Sequence, residues 1–408
     1  MQNNLDIFVS VLISIIIILI STQLVGKLFL LMKQPKVVGE MLAGVLLGPT
    51  CFGYFYPELS AEIFRKDLMP YIFVLSNIGL SIYMFLVAME MDFNLFTKKI
   101  FKQSFSLSAA IIIVPFILGA VGAVQYFDFL KGENADLISF IIFLGAALAI
   151  TAFPMLARIL QENNLIQTKL GTISLLSASF QDVISWIFLA FVTASAKNDG
   201  SSGMNTLIGG IIFILGMRFL VKPLLKWLFQ KANDGKISKQ NLFSVVILAL
   251  LFCALITDYI GLYSVFGGFI LGITIPRDAP LMNDIGIKLK DVTITLLIPL
   301  FFTFSGLNAN MLVLGEIDFL IPTLVILFYS FASKYLIATS VMKLNGFSWK
   351  ESSAIGGLMN ARGLMELIIA NIGLMYGVIN PTLYSILILV AVLSTLLAMP
   401  IYNLSMKE

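Results

Sequence analysis

Residues 144–160 read LGAALAITAFPMLARIL, and residues 354–373 read AIGGLMNARGLMELIIANIG. Each stretch lies in an apolar run long enough to cross a bilayer, and each is interrupted near its middle. Pro154 removes a backbone donor and clashes with the preceding turn, which breaks or kinks a helix. Gly356, Gly357, Asn360 and Gly363 crowd the centre of the second stretch. In lipid, unpaired backbone groups are tolerated only inside protein or along a water-filled cavity. Two interruptions at one depth therefore imply a polar site between them. The plain alternative is a pair of ordinary proline and glycine kinks.

The rest of the chain sets the frame. Hydrophobic residues make up 59% of its 408 residues and charged residues only 12%, where a soluble domain carries about 25% charged. This composition describes a polytopic membrane protein and excludes water-soluble catalysis. The two cysteines, Cys51 and Cys253, are far apart and form neither a disulfide framework nor a metal signature. Histidine is absent. Any proton chemistry then falls to carboxylates, because histidine is the side chain that ordinarily titrates near neutrality. A membrane enzyme would need a clustered acid, base or metal set at one interface, and none is visible. Neither an enzyme nor a cofactor is expected. The first apolar run lacks a basic flank and a small-residue cleavage site, so it reads as a retained helix.

A helix needs about 20 mostly apolar residues to span the membrane. Thirteen segments qualify: 7–31, 36–50, 70–90, 104–127, 137–160, 168–196, 204–229, 240–259, 262–276, 289–306, 317–342, 350–376 and 380–404. Basic residues accumulate on the cytoplasmic side of membrane proteins. With the N-terminus outside, the outer loops hold Arg65, Lys66, Lys131 and Lys197, while Lys27, Arg218, Lys334 and Arg362 fall within spans. The remaining eighteen of the 26 Lys and Arg residues, Arg158 among them, then lie on the inner side. This bias predicts an outer N-terminus and a cytoplasmic C-terminus in a cell membrane.

The fifth and twelfth spans, which carry the interruptions, are seven apart. So are the second, VVGEMLAGVLLGP, and the ninth, VFGGFILGITIP, which share a five-residue glycine spacing and end at proline. An odd shift inverts topology. The pattern predicts inverted repeats of spans 1–6 and 8–13, with span 7 as linker and paired broken helices, the design of many secondary transporters.

Asp182 stands near the centre of the sixth span and is the only ionisable residue between Lys169 and Lys197. A charge at a helix centre costs about 2.5–3.5 kcal/mol on insertion scales, and such residues mark ion paths. Desolvation disfavours an ionised carboxylate. A carboxylate so placed holds a proton or a small cation, but not both favourably. Competitive binding at a site that reorients only when occupied makes an exchanger. One carboxylate beside a neutral Gln181 implies one cation per proton, hence electroneutral exchange. Thr151, at the first break, supplies a hydroxyl and nearby carbonyls as hard oxygen ligands suited to sodium or potassium. The structural alternative is a protonated Asp182 making one hydrogen bond.

Other buried charges have more limited readings. Lys334 lies eight residues from the inner end of its span, about 12 Å at 1.5 Å per residue. It either pairs internally or faces the negative helix ends at a break; snorkelling is the other option. Arg362 and Glu366, four apart, suit an internal pair, with Arg362 stabilising the crossing and Glu366 a second proton candidate. Glu40 and Asp258 read as helix-end caps. Glu90 and Asp92 read as a solvated end beside the Lys98–Lys102 loop.

Four segments carry a family resemblance: QPKVVGEMLAGVLLGP (34–49), ITAFPMLARIL (150–160), TDYIGLYSVFGGFILGI (257–273) and NARGLMELIIANIGL (360–374). Together they resemble the monovalent cation:proton antiporter-2 family over residues 34–376. The breaks are most similar to plant CHX exchangers, and the Gln181–Asp182 pair to Kef-type potassium efflux systems; many sodium/proton relatives carry ND or DD there. The resemblance implies an all-α antiporter fold of about thirteen transmembrane helices and a homodimer in the lipid bilayer. It also implies an elevator motion. Its scaffold would comprise residues 1–103 and 237–306, its mobile core 104–197 and 307–408, and its linker 198–236. It places Lys334 near Asp182, where it could compete with the cation. Kef systems carry a nucleotide-sensing C-terminal domain that this sequence does not include, so any such regulation would come from a separate subunit. Two other functions stay open: a non-transporting or partner-gated channel or sensor subunit on the same fold, and a sodium-coupled organic-anion symporter.

Overall fold

The structure is a computed structural model that describes residues 2–32, 34–91, 97–197, 202–276, 279–307, 311 and 319–407. Lys33, Asp92 and Arg277 lie outside the described residues. In chain order the principal helices are α1 (Gln2–Leu31), α2 (Lys36–Leu47), α3 (Met69–Glu90), α4 (Lys98–Leu130), α5 (Leu137–Ala149), α6 (Phe153–Glu162) and α7 (Lys169–Lys197). Then come α8 (Ser202–Gly216), α9 (Lys222–Asn233), α10 (Lys239–Tyr259), α11 (Ser264–Thr274), α12 (Ala279–Val292) and α13 (Ile298–Leu307). Last are α14 (Leu320–Leu344), α15 (Trp349–Leu358), α16 (Leu364–Met375) and α17 (Pro381–Met406). Wide π turns at Met217–Val221 and Thr293–Leu297 join α8 to α9 and α12 to α13.

Nine helices among the described residues are long and apolar enough to cross a membrane, counting α2 with the turns through Phe55, α5 with α6 and α8 with α9 as single spans. Four further segments complete the thirteen expected spans. One is α7, with 29 residues. Another is α11, with only 11 residues. The third is the α12–α13 run, whose first half carries Asp284, Lys288, Lys290 and Asp291 and extends ten residues before the expected start at 289. The fourth is α15 with α16, split by the second break.

Helix starts follow local chemistry. Thr97, Asp136, Ser238 and Asn380 each accept the backbone N–H three residues on, at 3.2, 3.1, 3.1 and 2.9 Å. Ser348 and Glu351 close a reciprocal capping box on α15.

The repeat is visible in the packing. The short α2 lies along α13, and the short α11 lies along α3. These are spans 2 with 10 and 9 with 3, which exchange under a shift of seven. Both contacts depend on glycine. A Cβ on Gly44 would run into the Thr303 carbonyl, and one on Gly272 would sit 2.5 Å from the Phe85 carbonyl. Backbone approach this close leaves no room for a side chain. The same exchange relates α4 with α5 to α14 with α15.

Candidate functional site

Both expected interruptions are present, and they cross. α5 stops at Ala149 because Ile150 and Ala152 adopt extended backbone (ψ 138° and 99°). Pro154 falls in the first turn of α6, where its missing N–H loses no intrahelical bond. It therefore restarts the helix, and the break itself precedes it. In the second segment Gly356 and Gly357 remain in α15, and the break runs from Met359 to the extended Gly363, before α16. Asn360 lies inside it. The breaks join directly: Ala152 N–H donates to the Ala361 carbonyl at 3.1 Å, and the Thr151 hydroxyl to the Met359 carbonyl at 3.0 Å.

A helix C-terminus presents unpaired carbonyls and partial negative charge; an N-terminus presents N–H groups and partial positive charge. The half-helices match these ends with charged side chains. At the end of α5, Arg362 donates to the Ala147 and Leu148 carbonyls at 3.1 and 2.7 Å. Lys334 donates to the Ile150 carbonyl, and to the Thr151 hydroxyl at 2.8 Å. At the start of α6, the Phe153 N–H meets the Asp182 carboxylate. Arg362 also pairs with Glu366 at 3.1 Å. Its own backbone N–H donates to the Thr395 hydroxyl of α17 at 2.8 Å.

Asp182 is 6% exposed, and its Oδ1 has no hydrogen-bond partner among the described residues. Three further buried oxygens around the crossing are also unpartnered: Gln181 Oε1, Asn360 Oδ1 and Glu366 Oε2. Gln181 anchors its amide nitrogen on the Ser177 carbonyl at 3.2 Å, and Asn360 does the same on Gly356 at 3.0 Å. Both thereby present a hard oxygen acceptor. Buried carboxylate and amide oxygens of this kind are acceptors suited to a dehydrated alkali cation or a proton-bearing group.

Lys334 takes the first of its two expected placements: it is buried against the negative end of α5 and does not snorkel, and it makes no ion pair with Asp182. The Thr151 hydroxyl and Ile150 carbonyl are consequently already held by an ammonium. Glu40 does not cap a helix end: it sits within α2, fully buried, with neither carboxylate oxygen hydrogen-bonded among the described residues. Arg158 is not an inner-loop charge but a buried residue of α6, paired with Glu162 at 2.9 Å. Glu90 is tied to Lys290 at 2.8 Å and to Gln161 at 3.0 Å, so it is a contact point and not a solvated end. The roles of Glu162 and Thr395 had no counterpart in the sequence reading. The four-residue spacing of Arg158 and Glu162 was the signal available for the first. A lone threonine in an apolar helix offered none for the second.

The sodium/hydrogen exchanger transmembrane family model matches residues 7–402. The chain is 35% identical over 393 residues to the Na(+)/H(+) antiporter NhaS4 of Synechocystis sp., with 96% of each chain covered. It is 31% identical to K(+)/H(+) antiporter 1 of Saccharomyces cerevisiae, aligning 95% of this chain and 45% of that one. It is 34% identical to cation/H(+) antiporter 19 of Arabidopsis thaliana, of which it spans about half the length (50%). Among solved structures, the sodium proton antiporter MjNhaP1 from Methanocaldococcus jannaschii matches with a TM-score of 0.65 at 19% identity, over 100% of this chain and 99% of that one. That likeness establishes the fold.

Proposed function

This chain belongs to the sodium/hydrogen exchanger family, and on that premise we propose that it is a monovalent cation/proton antiporter whose exchanged ions meet at Asp182. The antiport class rests on relatives named for sodium/proton and for potassium/proton exchange. The observation that carries the site is the environment of Asp182. Its carboxylate is buried and leaves one oxygen unpartnered, and it faces the N-terminal end of a broken helix through Phe153. A carboxylate removed from water is stable only when a proton or a cation neutralises it. The two therefore exclude each other, and a carrier that reorients with either bound exchanges them.

Glu366 is held by Arg362, which leaves Asp182 as the unpaired carboxylate at the crossing among the described residues. One cation per proton follows, so exchange is electroneutral. Gln181 and Asn360 supply further oxygens to the cation, and Lys334 with Arg362 neutralises the carbonyl end of α5. The moving body is α4–α7 with α14–α17, the two groups that carry the crossing. It travels against α1–α3 with α10–α13 in elevator fashion, in a homodimer whose basic loops face the cytoplasm.

The test is cation-driven proton movement in proteoliposomes at clamped membrane potential, with Na⁺ or K⁺ added to wild type and to Asp182→Asn. Dequenching of a pH dye in wild type alone supports exchange at Asp182 and names the ion. Equal signals from both proteins would move the site to Glu366. Silence in wild type with both ions would favour a partner-gated or non-transporting protein.

A further inference from the structure

A second cluster of buried charge lies away from Asp182, where the C-terminal end of α6 meets α2 and α3. α2 begins after Pro35 with no side-chain cap of its own. Its first N–H groups are met instead by a carboxylate 125 residues distant in sequence: Glu162 Oε2 stands 3.4 Å from the Val37 nitrogen and also faces the Lys36 N–H. The other Glu162 oxygen pairs with Arg158 at 2.9 Å. Arg158 faces Glu40 of α2 and Tyr83 of α3. Lys36 stands 3.6 Å from Glu40. Beside them Gln161 donates to Glu90 of α3 at 3.0 Å, and Lys290 of α12 donates to the same carboxylate at 2.8 Å.

Every one of these contacts joins α6 to the opposite group of helices or braces such a contact. α6 is ten residues long, and its two ends have different partners: Phe153 meets Asp182, while Glu162 and Gln161 meet α2 and α3. A rigid half-helix transmits any displacement of one end to the other. Two cations, Lys36 and Arg158, face two carboxylates, Glu40 and Glu162, so the cluster is neutral while closed. Each member can be taken up by water when the surfaces part. Glu40, buried and ion-paired with Lys36 but with neither oxygen hydrogen-bonded among the described residues, gains hydrogen bonds on opening. An apolar seam would lose its burial with no such replacement.

We propose that this seam is the cytoplasmic gate of the transporter, with Glu162 as a removable cap on α2 that must leave the α2 N-terminus in each transport cycle. The inference rests on the elevator reading of the proposed function. It adds where the moving body is held and by which groups.

The experiment introduces Gln161→Cys and Glu90→Cys in a chain whose native Cys51 and Cys253 are replaced by alanine. The pair is bridged with a short bis-methanethiosulfonate, and exchange is recorded in the same proteoliposomes before bridging, after it and after reduction. Bridging is expected to lower exchange at least tenfold, and reduction to restore it. Bridged protein exchanging at its unbridged rate would overturn the gate while leaving antiport intact. Absence of exchange in wild type would instead count against the function itself. Wild-type protein supplies a second reading that needs no variant. Hydrogen exchange of the peptide 34–42, which contains the Glu162-capped amides, is expected to quicken at least twofold when the transported cation is added. An unchanged rate during transport would likewise overturn the proposal.

Discussion

Lys334 donates from Nζ to the Thr151 hydroxyl at 2.8 Å and to the Ile150 carbonyl, so a tethered ammonium holds oxygens that the first break exposes. Lys334→Met leaves both oxygens buried without that donor. The loss of stability is expected to be about 1–3 kcal/mol, the usual consequence of stranding buried acceptors, read as a lower Tm in detergent. Removing a positive charge from the crossing also favours the mobile cation. Its apparent KM should fall roughly three- to tenfold. A variant with unchanged KM would assign Lys334 to structure alone.

The Arg362–Glu366 pair is buried on both sides, at 0% and 1% side-chain exposure. Removing one partner of such a pair costs about 3–5 kcal/mol, because the other charge is left unneutralised. Arg362 in addition holds the Ala147 and Leu148 carbonyls. Arg362→Met is therefore expected to destabilise more than Glu366→Gln, and the double variant less than the sum of the two. A thermal double-mutant cycle measures this; additive effects would mean that the pair is not coupled.

What could be read from sequence, and what could not, divides along the range of the interaction. Pro154 and the glycines around Asn360 mark the breaks because they act on their own backbone. Asp182 was legible because a lone charge in an apolar span is expensive wherever it sits. The partner of Lys334 was not, since pairing with α5 and snorkelling make the same local pattern. Nor was the capping of α2 by Glu162, which no neighbouring residue specifies. Glu40 illustrates the limit: its place near the start of α2 suggested a cap, yet the capping group comes from α6.

Asp136 offers a pH test outside the membrane span. Its carboxylate accepts the Ser139 N–H at 3.1 Å at the start of α5, and the Ser139 bonds hold its carboxyl below the usual aspartate range. A lowered folded-state value means that the ionised form stabilises the fold. The contribution is complete above the unfolded value, about 3.9, and is lost as pH falls through the folded one. Asp136→Ala is expected to cost about 1 kcal/mol at pH 7 and progressively less as pH drops below about 4. Asp136→Asn keeps the capping oxygen but not the charge, so it should fall between wild type and Asp136→Ala at pH 7 and close on wild type below about pH 4. Costs of both variants that stay constant with pH would show that the cap does not act through its charge.

Competition at a single carboxylate has a distinct kinetic form. If proton and cation exclude each other at Asp182, acidification raises the apparent KM for the cation and leaves the maximal rate unchanged once cation is saturating. In the acidic limit the rise approaches about tenfold per pH unit, as mass action requires for one proton displaced by one ion. Glu366 sets the contrast. Were it to carry a second proton, the limiting slope would approach about a hundredfold per unit on the same arithmetic, and exchange would respond to membrane potential. Its ion pair with Arg362 at 3.1 Å argues for the single-proton slope. Initial rates across a pH series, with and without a valinomycin-set potential, separate the two outcomes. Glu366→Gln, provided it folds, is expected to leave the slope at one proton even where it lowers the rate.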